Sequence, residues 1–399
     1  MKIYEIGTGY TPIPAQMGAA TEIVVEELSC SFLELGEDVE IIDIASSERA
    51  DNDLPITEVK VPDIFSKKDA SLGIAHKLKR VVYSVALAEK LKNILKETEE
   101  KVLLHFHNQY NLFFFLKLVP SKLRQKAVVA YTVHSYIWGT EWDEIENTVR
   151  KKYFQEIYCV KNADVVFVLN DITTDHFVNR LGVKPERIHK TINGVSTKKY
   201  IPLDSETVAS FKKNLGLKNK KIIFQVGSVC DRKNQLGSVK MLTGYLQENK
   251  DVVYMYAGGV IDAEYQQSII AHASENGIKE QVVYAGELAP GTTLNKYYNI
   301  ADCSVFTSTL ESFGLVIIEA IASGTPVIVG NKPMFDLKSG YSVYSNENEF
   351  VLQIDSCLKK SCGVKYESRE VVDKYNWNSV AKMHLDIIQN TEERAPFNV

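Results

Sequence analysis

Short runs rich in Val, Ile and aromatic residues recur along this chain, and most are followed by a stretch with helical spacing. That alternation has few solutions, because a parallel strand cannot turn straight back and needs a crossover helix over one face of the sheet. Residues 3–6, 39–44, 102–107, 127–134 and 164–169 form a first series of strand-like runs. Residues 222–226, 252–256, 282–284, 303–307 and 327–329 form a second, after a hydrophilic stretch from Pro202 to Lys221. The repetition predicts an α/β protein of two Rossmann-like domains facing a cleft, and 399 residues supply ample core for both. The expected divisions are residues 1–200, residues 201–378 and a last helix over 379–399.

Residues 303–330, CSVFTSTLESFGLVIIEAIASGTPVIVG, say most about function. A strand enters a polar turn, an apolar helix runs from Gly314 to Ala322, Gly324 stops it, and Pro326 leads into the next strand. A strand that passes into a helix through small residues aims free backbone N–H groups and a positive dipole end at the crevice, where a phosphate or a sugar hydroxyl can bind. Two carboxylates frame the turn. Glu311 lies just before the helix, and Glu319 lies inside it among Val316, Ile317, Ile318, Ala320 and Ile321.

Glu311, Ser312-Phe313-Gly314-Leu315 and Glu319, eight positions after the first, resemble the E-x7-E signature of retaining family-4 glycosyltransferases of the GT-B fold (glycosyl transferases group 1). The resemblance implies that Glu311 and the amides after it hold the donor sugar, and that Glu319 binds the ribose hydroxyls. It also implies that the helix beginning at 376–381 crosses back onto the first domain. Ser228, Arg232 and Lys233, in Gly227-Ser228-Val229-Cys230-Asp231-Arg232-Lys233-Asn234, are similar to the family's diphosphate-binding segment, with Lys233 at its lysine. Ser228 stands where the family often has Arg; Arg232 substitutes only if the loop turns it inward. Gly286 and Leu288 follow a strand where the family's backbone meets base and sugar. Gly18 is what remains of a paired-glycine loop that suits a diphosphate. His134, in Tyr131-Thr132-Val133-His134-Ser135, resembles the T-x-H element whose His contacts the donor sugar. The implied catalytic set is His134, Glu311 and Lys233.

Other readings are weaker. Gly7-x-Gly9 lacks the third glycine of a dinucleotide fingerprint, and no acidic residue closes the second strand, so an oxidoreductase is disfavoured. Asp51-Asn52-Asp53, the one D-x-D, reads as a solvated turn. His105 and His107 share a strand face, with no third metal ligand evident from the sequence. No catalytic metal and no cofactor are expected; a nucleotide-diphosphate sugar, UDP-linked before GDP-linked, is the expected donor. A sugar-nucleotide epimerase or hydrolase would use the same donor site without an acceptor. A phosphorylase would need covalent pyridoxal phosphate and a longer chain. A non-catalytic binding protein has no need of Glu311, Glu319, Lys233 and His134 together.

Net charge −5 excludes bulk nucleic-acid binding. Between Lys60 and Ala130, however, 14 Lys/Arg stand against 6 Asp/Glu. That surplus suits a solvated helix face or an anionic membrane surface, and admits a glycan, lipid-linked or protein acceptor. The aromatic run 112–116 reads as a core helix. The six cysteines show no C-x-x-C pair and no metal-ligand spacing, as in a reducing compartment. Met1-Lys2 leads straight into a strand, and no apolar run reaches about 18 residues. The expected location is the cytoplasm, at most as a peripheral protein on the inner face of a membrane.

Overall fold

The computed structural model describes residues 1–16, 19–62, 74–330, 337, 339–360 and 369–394. It comprises two compact units, Met1–Asn193 with Trp377–Val399, and Gly194–Asn376.

The first unit is built on β1 (Ile3–Ile6), β2 (Val39–Ile44), β3 (Ile56–Val59), β4 (Val102–Phe106), β5 (Ala127–Thr132), β6 (Val165–Val168) and β7 (Ile188–Lys190). These pair in the order β3-β2-β1-β4-β5-β6-β7, and every pairing is parallel. The chain starts in the middle of this sheet, moves outward through β2 and β3, then returns to the other side of β1. The crossovers beside β1 and β4 therefore leave in opposite directions and open a crevice at the C-terminal ends of those strands. β1 and β4 are buried at every position, as strands covered on both faces must be. Glu5 and His105 nevertheless lie in them, fully buried.

The second unit repeats the plan with β8 (Lys221–Val226), β9 (Val252–Ala257), β10 (Val282–Tyr284), β11 (Cys303–Phe306), β12 (Val327–Val329) and β13 (Tyr341–Val343). Their order is β10-β9-β8-β11-β12-β13, again all parallel, so its switch point falls between β8 and β11. The core around it is made by Val239, Leu242, Tyr254, Tyr256 and Ile269.

The final helix, Trp377–Arg394, belongs to the first unit, where it packs on the helix Ala20–Glu34. Val380, Ala381 and Ile388 are buried, and the Asn378 amide donates to Glu34 at 3.1 Å. The aromatic run lies in the helix Gln109–Leu118, capped by Asn108, and buries Leu112, Phe115 and Leu116. Asp51, Asn52 and Asp53 are exposed; the Asn52 carboxamide oxygen accepts from the Leu54 amide, as in an Asx turn. Among the described residues Cys159, Cys230 and Cys303 are free thiols, while Cys362 lies outside the described residues.

The turns after β8 and β9 approach each other closely. A Cβ on Gly258 (φ +143°) would lie 2.2 Å from the Gly227 carbonyl oxygen. Gly258→Ala should therefore lower the unfolding free energy by about 2–4 kcal/mol through crowding and backbone strain. An unchanged urea midpoint for the variant would contradict this packing.

Candidate active site

In the second unit the loops after β8 and β11 meet over the switch point. Gly227 (φ +151°) opens the first loop, and a side chain there would press on the Lys233 stem, 3.1 Å away. Lys233 closes a short turn, Asp231–Lys233, and Asn234 follows in the left-handed region (φ 56°). The Asn234 side chain fits because residue 237 is Gly, where a Cβ would lie 2.2 Å from its oxygen. This bend turns both cations toward the second loop. Lys233 Nζ donates to Glu311 Oε1 at 2.5 Å, and Arg232 Nη1 donates to the same oxygen at 2.6 Å and to the Leu310 carbonyl at 2.9 Å. Arg232 is thus turned inward. The Thr309 amide donates to the Arg232 carbonyl at 3.0 Å and ties the loops together.

Beneath them lies a polar knot. The Gln225 amide, in the central strand β8, donates to the Lys233 carbonyl at 2.8 Å and to Thr307 Oγ1 at 3.1 Å. Its oxygen accepts from Ser238 and Tyr254, each at 2.7 Å. Every hydrogen-bonding group of this buried amide is occupied, which fixes the Lys233 turn against β11.

After Glu311 come half-buried Ser312 and buried Phe313, then Gly314 at φ 94°, which starts the helix Leu315–Ala322 one residue later than the sequence pattern indicated. Glu319 lies on this helix, 6% exposed, and accepts from the buried Tyr298 hydroxyl at 3.2 Å. Ser228 is half-buried; its carbonyl accepts from Gln235 at 3.0 Å. Gly286 accepts from the Gly258 amide at 2.9 Å, so the turn that leads to Leu288 joins the same edge of the sheet. Gly18 lies outside the described residues.

His134 belongs to the first unit, just past β5, and is half-buried. Its Nε2 meets His107 Nδ1 at 3.0 Å, and His107 Nε2 meets Glu5 Oε2 at 2.8 Å. Glu5 Oε1 meets His105 Nδ1 at 2.8 Å. Burial alone would push the Glu5 carboxyl up, but the two imidazoles overcome it and hold it at about 2. Burial brings His107 down to about 4 and His134 well below its ordinary value, so both rings are neutral at physiological pH. The loop that carries His134 is anchored by buried Glu156, which accepts from Tyr131 (2.7 Å), Ser135 (2.9 Å) and the Trp138 indole (2.8 Å). Sequence reasoning missed Glu5 and Gln225. A charged or amide residue inside an otherwise apolar central strand was the available signal for both.

Two parallel α/β units, each with a crevice at its switch point, have the architecture of the GT-B fold, and the comparisons agree. The family model for Glycosyltransferase Family 4 matches residues 21–199, and that for Glycosyl transferases group 1 matches residues 208–379. The chain belongs to family-4 glycosyltransferases. Its matches span about half the length of the first curated relatives. Mannosylfructose-phosphate synthase of Agrobacterium fabrum is 24% identical over 47% of this chain and 42% of that protein. Among solved structures, sucrose-phosphate synthase from Thermosynechococcus elongatus superposes with a TM-score of 0.75 at 19% identity, over 99% of this chain and 100% of that one. Anabaena HepE, crystallised with UDP and glucose, gives 0.71 at 13% identity, over 97% and 99%. At such identities the structural likeness shows the fold.

Gln225→Leu would leave the Lys233 carbonyl, Thr307 and Tyr254 without their buried partner. Stability should fall by about 1–3 kcal/mol in chemical denaturation. A variant as stable as the parent would mean that the knot does not hold the turn.

Proposed function

We propose that this protein transfers a sugar from a nucleotide-diphosphate donor, UDP-linked by preference, to a hydroxyl of a glycan, lipid-linked or protein acceptor. Transfer retains the anomeric configuration and needs no divalent metal. The observation that carries this reading is the convergence of Lys233 and Arg232 on one oxygen of Glu311 at the switch point of the second unit. Two cations against one carboxylate leave a surplus positive charge beside the start of a helix, an arrangement suited to a diphosphate.

As the bond between the sugar and the β-phosphate breaks, the electron pair leaves with the phosphate. Lys233, Arg232 and the amides of Phe313 to Leu315 compensate that charge, a task that metal-dependent enzymes give to a bound cation. Ser228, Gly286 and Leu288 line the donor's base and phosphate side, Glu319 holds the ribose, and Glu311 and His134 orient the sugar. The acceptor hydroxyl attacks from the face that the phosphate leaves; this retention is carried over from the family. HepE, solved with UDP and glucose, supports the preference for UDP.

No helix among the described residues is long and apolar enough to cross a membrane. The lysine-rich helix Ile74–Glu97 supports peripheral contact with an acidic cytoplasmic leaflet, and so a role in cell-envelope glycan synthesis.

Sugar transfer to a panel of hydroxyl acceptors, with UDP, GDP and ADP sugars as donors, tests the reading. Glu311→Gln and Lys233→Ala should each slow turnover tenfold or more, and EDTA should leave the rate unchanged. Parental rates in both variants, or activity lost to chelators, would contradict the assignment. UDP released at the same rate without any acceptor would reassign the protein as a hydrolase.

A further inference from the structure

We infer that Glu5 and His107 are positioning residues: they fix the tautomer of His134 so that it presents a bare Nδ1 as a hydrogen-bond acceptor to a hydroxyl of the donor sugar. This deepens the proposed function and rests on its assignment of His134 to the sugar.

The argument begins with register. β1 and β4 are neighbours, and Glu5 lies directly opposite His105. Side chains alternate along a strand, so His107, two residues on, leaves the same face as His105. One carboxylate can then reach both rings, and it does, at 2.8 Å on each oxygen. β5 is the next strand; Thr132, at its end, meets His105 Nε2 at 2.8 Å, and His134, two residues later, meets His107. The row crosses the switch point of the first unit, where an open α/β sheet binds its ligand.

Proton counting settles direction along the row. An ionised carboxylate only accepts, so both nitrogens that face Glu5 carry hydrogen. Neutral His107 has a single N–H, at Nε2, and its Nδ1 is a lone pair. That lone pair accepts from His134, whose single N–H is therefore at Nε2. Neutral His134 is left with a bare Nδ1. On the other branch His105 Nδ1–H donates to Glu5, and its Nε2 pairs with the Thr132 hydroxyl. Every nitrogen in the row but His134 Nδ1 is then paired. The remaining nearby imidazole, His384 on the last helix, uses its Nδ1 on the Val380 carbonyl at 2.9 Å.

Glu5, His105 and His107 also have the composition of a metal site. Ligands on one tetrahedral zinc, about 2.0–2.1 Å from the ion, lie roughly 3.3 Å from each other. The two N···O separations here are 2.8 Å, the length of N–H···O hydrogen bonds. The row is a hydrogen-bonded relay.

The test uses the full chain labelled with 15N-histidine. His134 is assigned by the signal lost in His134→Gln, and long-range 1H–15N spectra tell a protonated ring nitrogen from a bare one. The expected result is His134 with Nε2 protonated and Nδ1 bare, and no stoichiometric metal in elemental analysis of the purified protein. A protonated Nδ1 in the parent, or one zinc per chain, overturns the inference. This arm needs no turnover, so it stands even if the proposed reaction is wrong.

The second arm is Glu5→Gln, which keeps the shape and places an amide N–H against one ring. His107 and His134 should lose their fixed tautomer, and kcat should fall about 10–100-fold, by analogy with the cost when a metal-bound histidine loses the partner that orients it. UDP affinity should change less than threefold, because UDP is assigned to the second unit. An unchanged His134 spectrum in Glu5→Gln overturns the relay. An altered spectrum with an unchanged kcat overturns the catalytic use of His134 while the relay stands.

Discussion

Two cations held on one carboxylate oxygen organise the second unit. Without Glu311, Lys233 and Arg232 would repel each other across a few ångströms of partly shielded space; with it, the loops after β8 and β11 are drawn together. The left-handed bend at Asn234, the missing side chains at Gly227 and Gly237, and the saturated Gln225 amide all serve this convergence. A charge cluster of this kind is stiff before any ligand arrives. On the proposed function, an incoming diphosphate would meet donors already gathered at one point, and little ordering entropy would remain to be lost on binding.

The first unit uses the same architecture for a different end. Its switch point holds a buried anion in place of half-buried cations. Glu5 is tolerated in a strand covered on both faces because two imidazole N–H groups satisfy it, and the His107 ring stays neutral because burial disfavours its charge. Each unit has thus spent one position of its first, central strand on a polar side chain, Glu5 in β1 and Gln225 in β8. In both cases that side chain acts on a loop at the C-terminal edge of the sheet.

Much of this was legible in the sequence where the determinants are local. The E-x7-E segment could be read because its turn, its glycine and its two carboxylates lie within nine residues, and the strand runs because burial on both faces makes them continuously apolar. Three strands escaped notice. β3, β7 and β13 are edge or near-edge strands of three or four residues, several of them polar, and leave no periodic trace. The inward turn of Arg232 depends on the backbone conformation at Asn234, which a non-glycine residue seldom adopts and a pattern does not announce. Glu5 is not among the residues the sequence singles out, because its partners lie about 100 residues away and only cross-strand register brings them together. His105 and His107 were visible as a pair on one face; the third member of their group was not.

The most direct measurement is a crystal structure of the protein soaked with UDP-glucose. The account requires diphosphate oxygens within hydrogen-bonding distance of Lys233 Nζ and the Arg232 guanidinium, with no cation bridging them. A nucleotide bound away from residues 311–319, or a diphosphate held through a divalent ion, would contradict it.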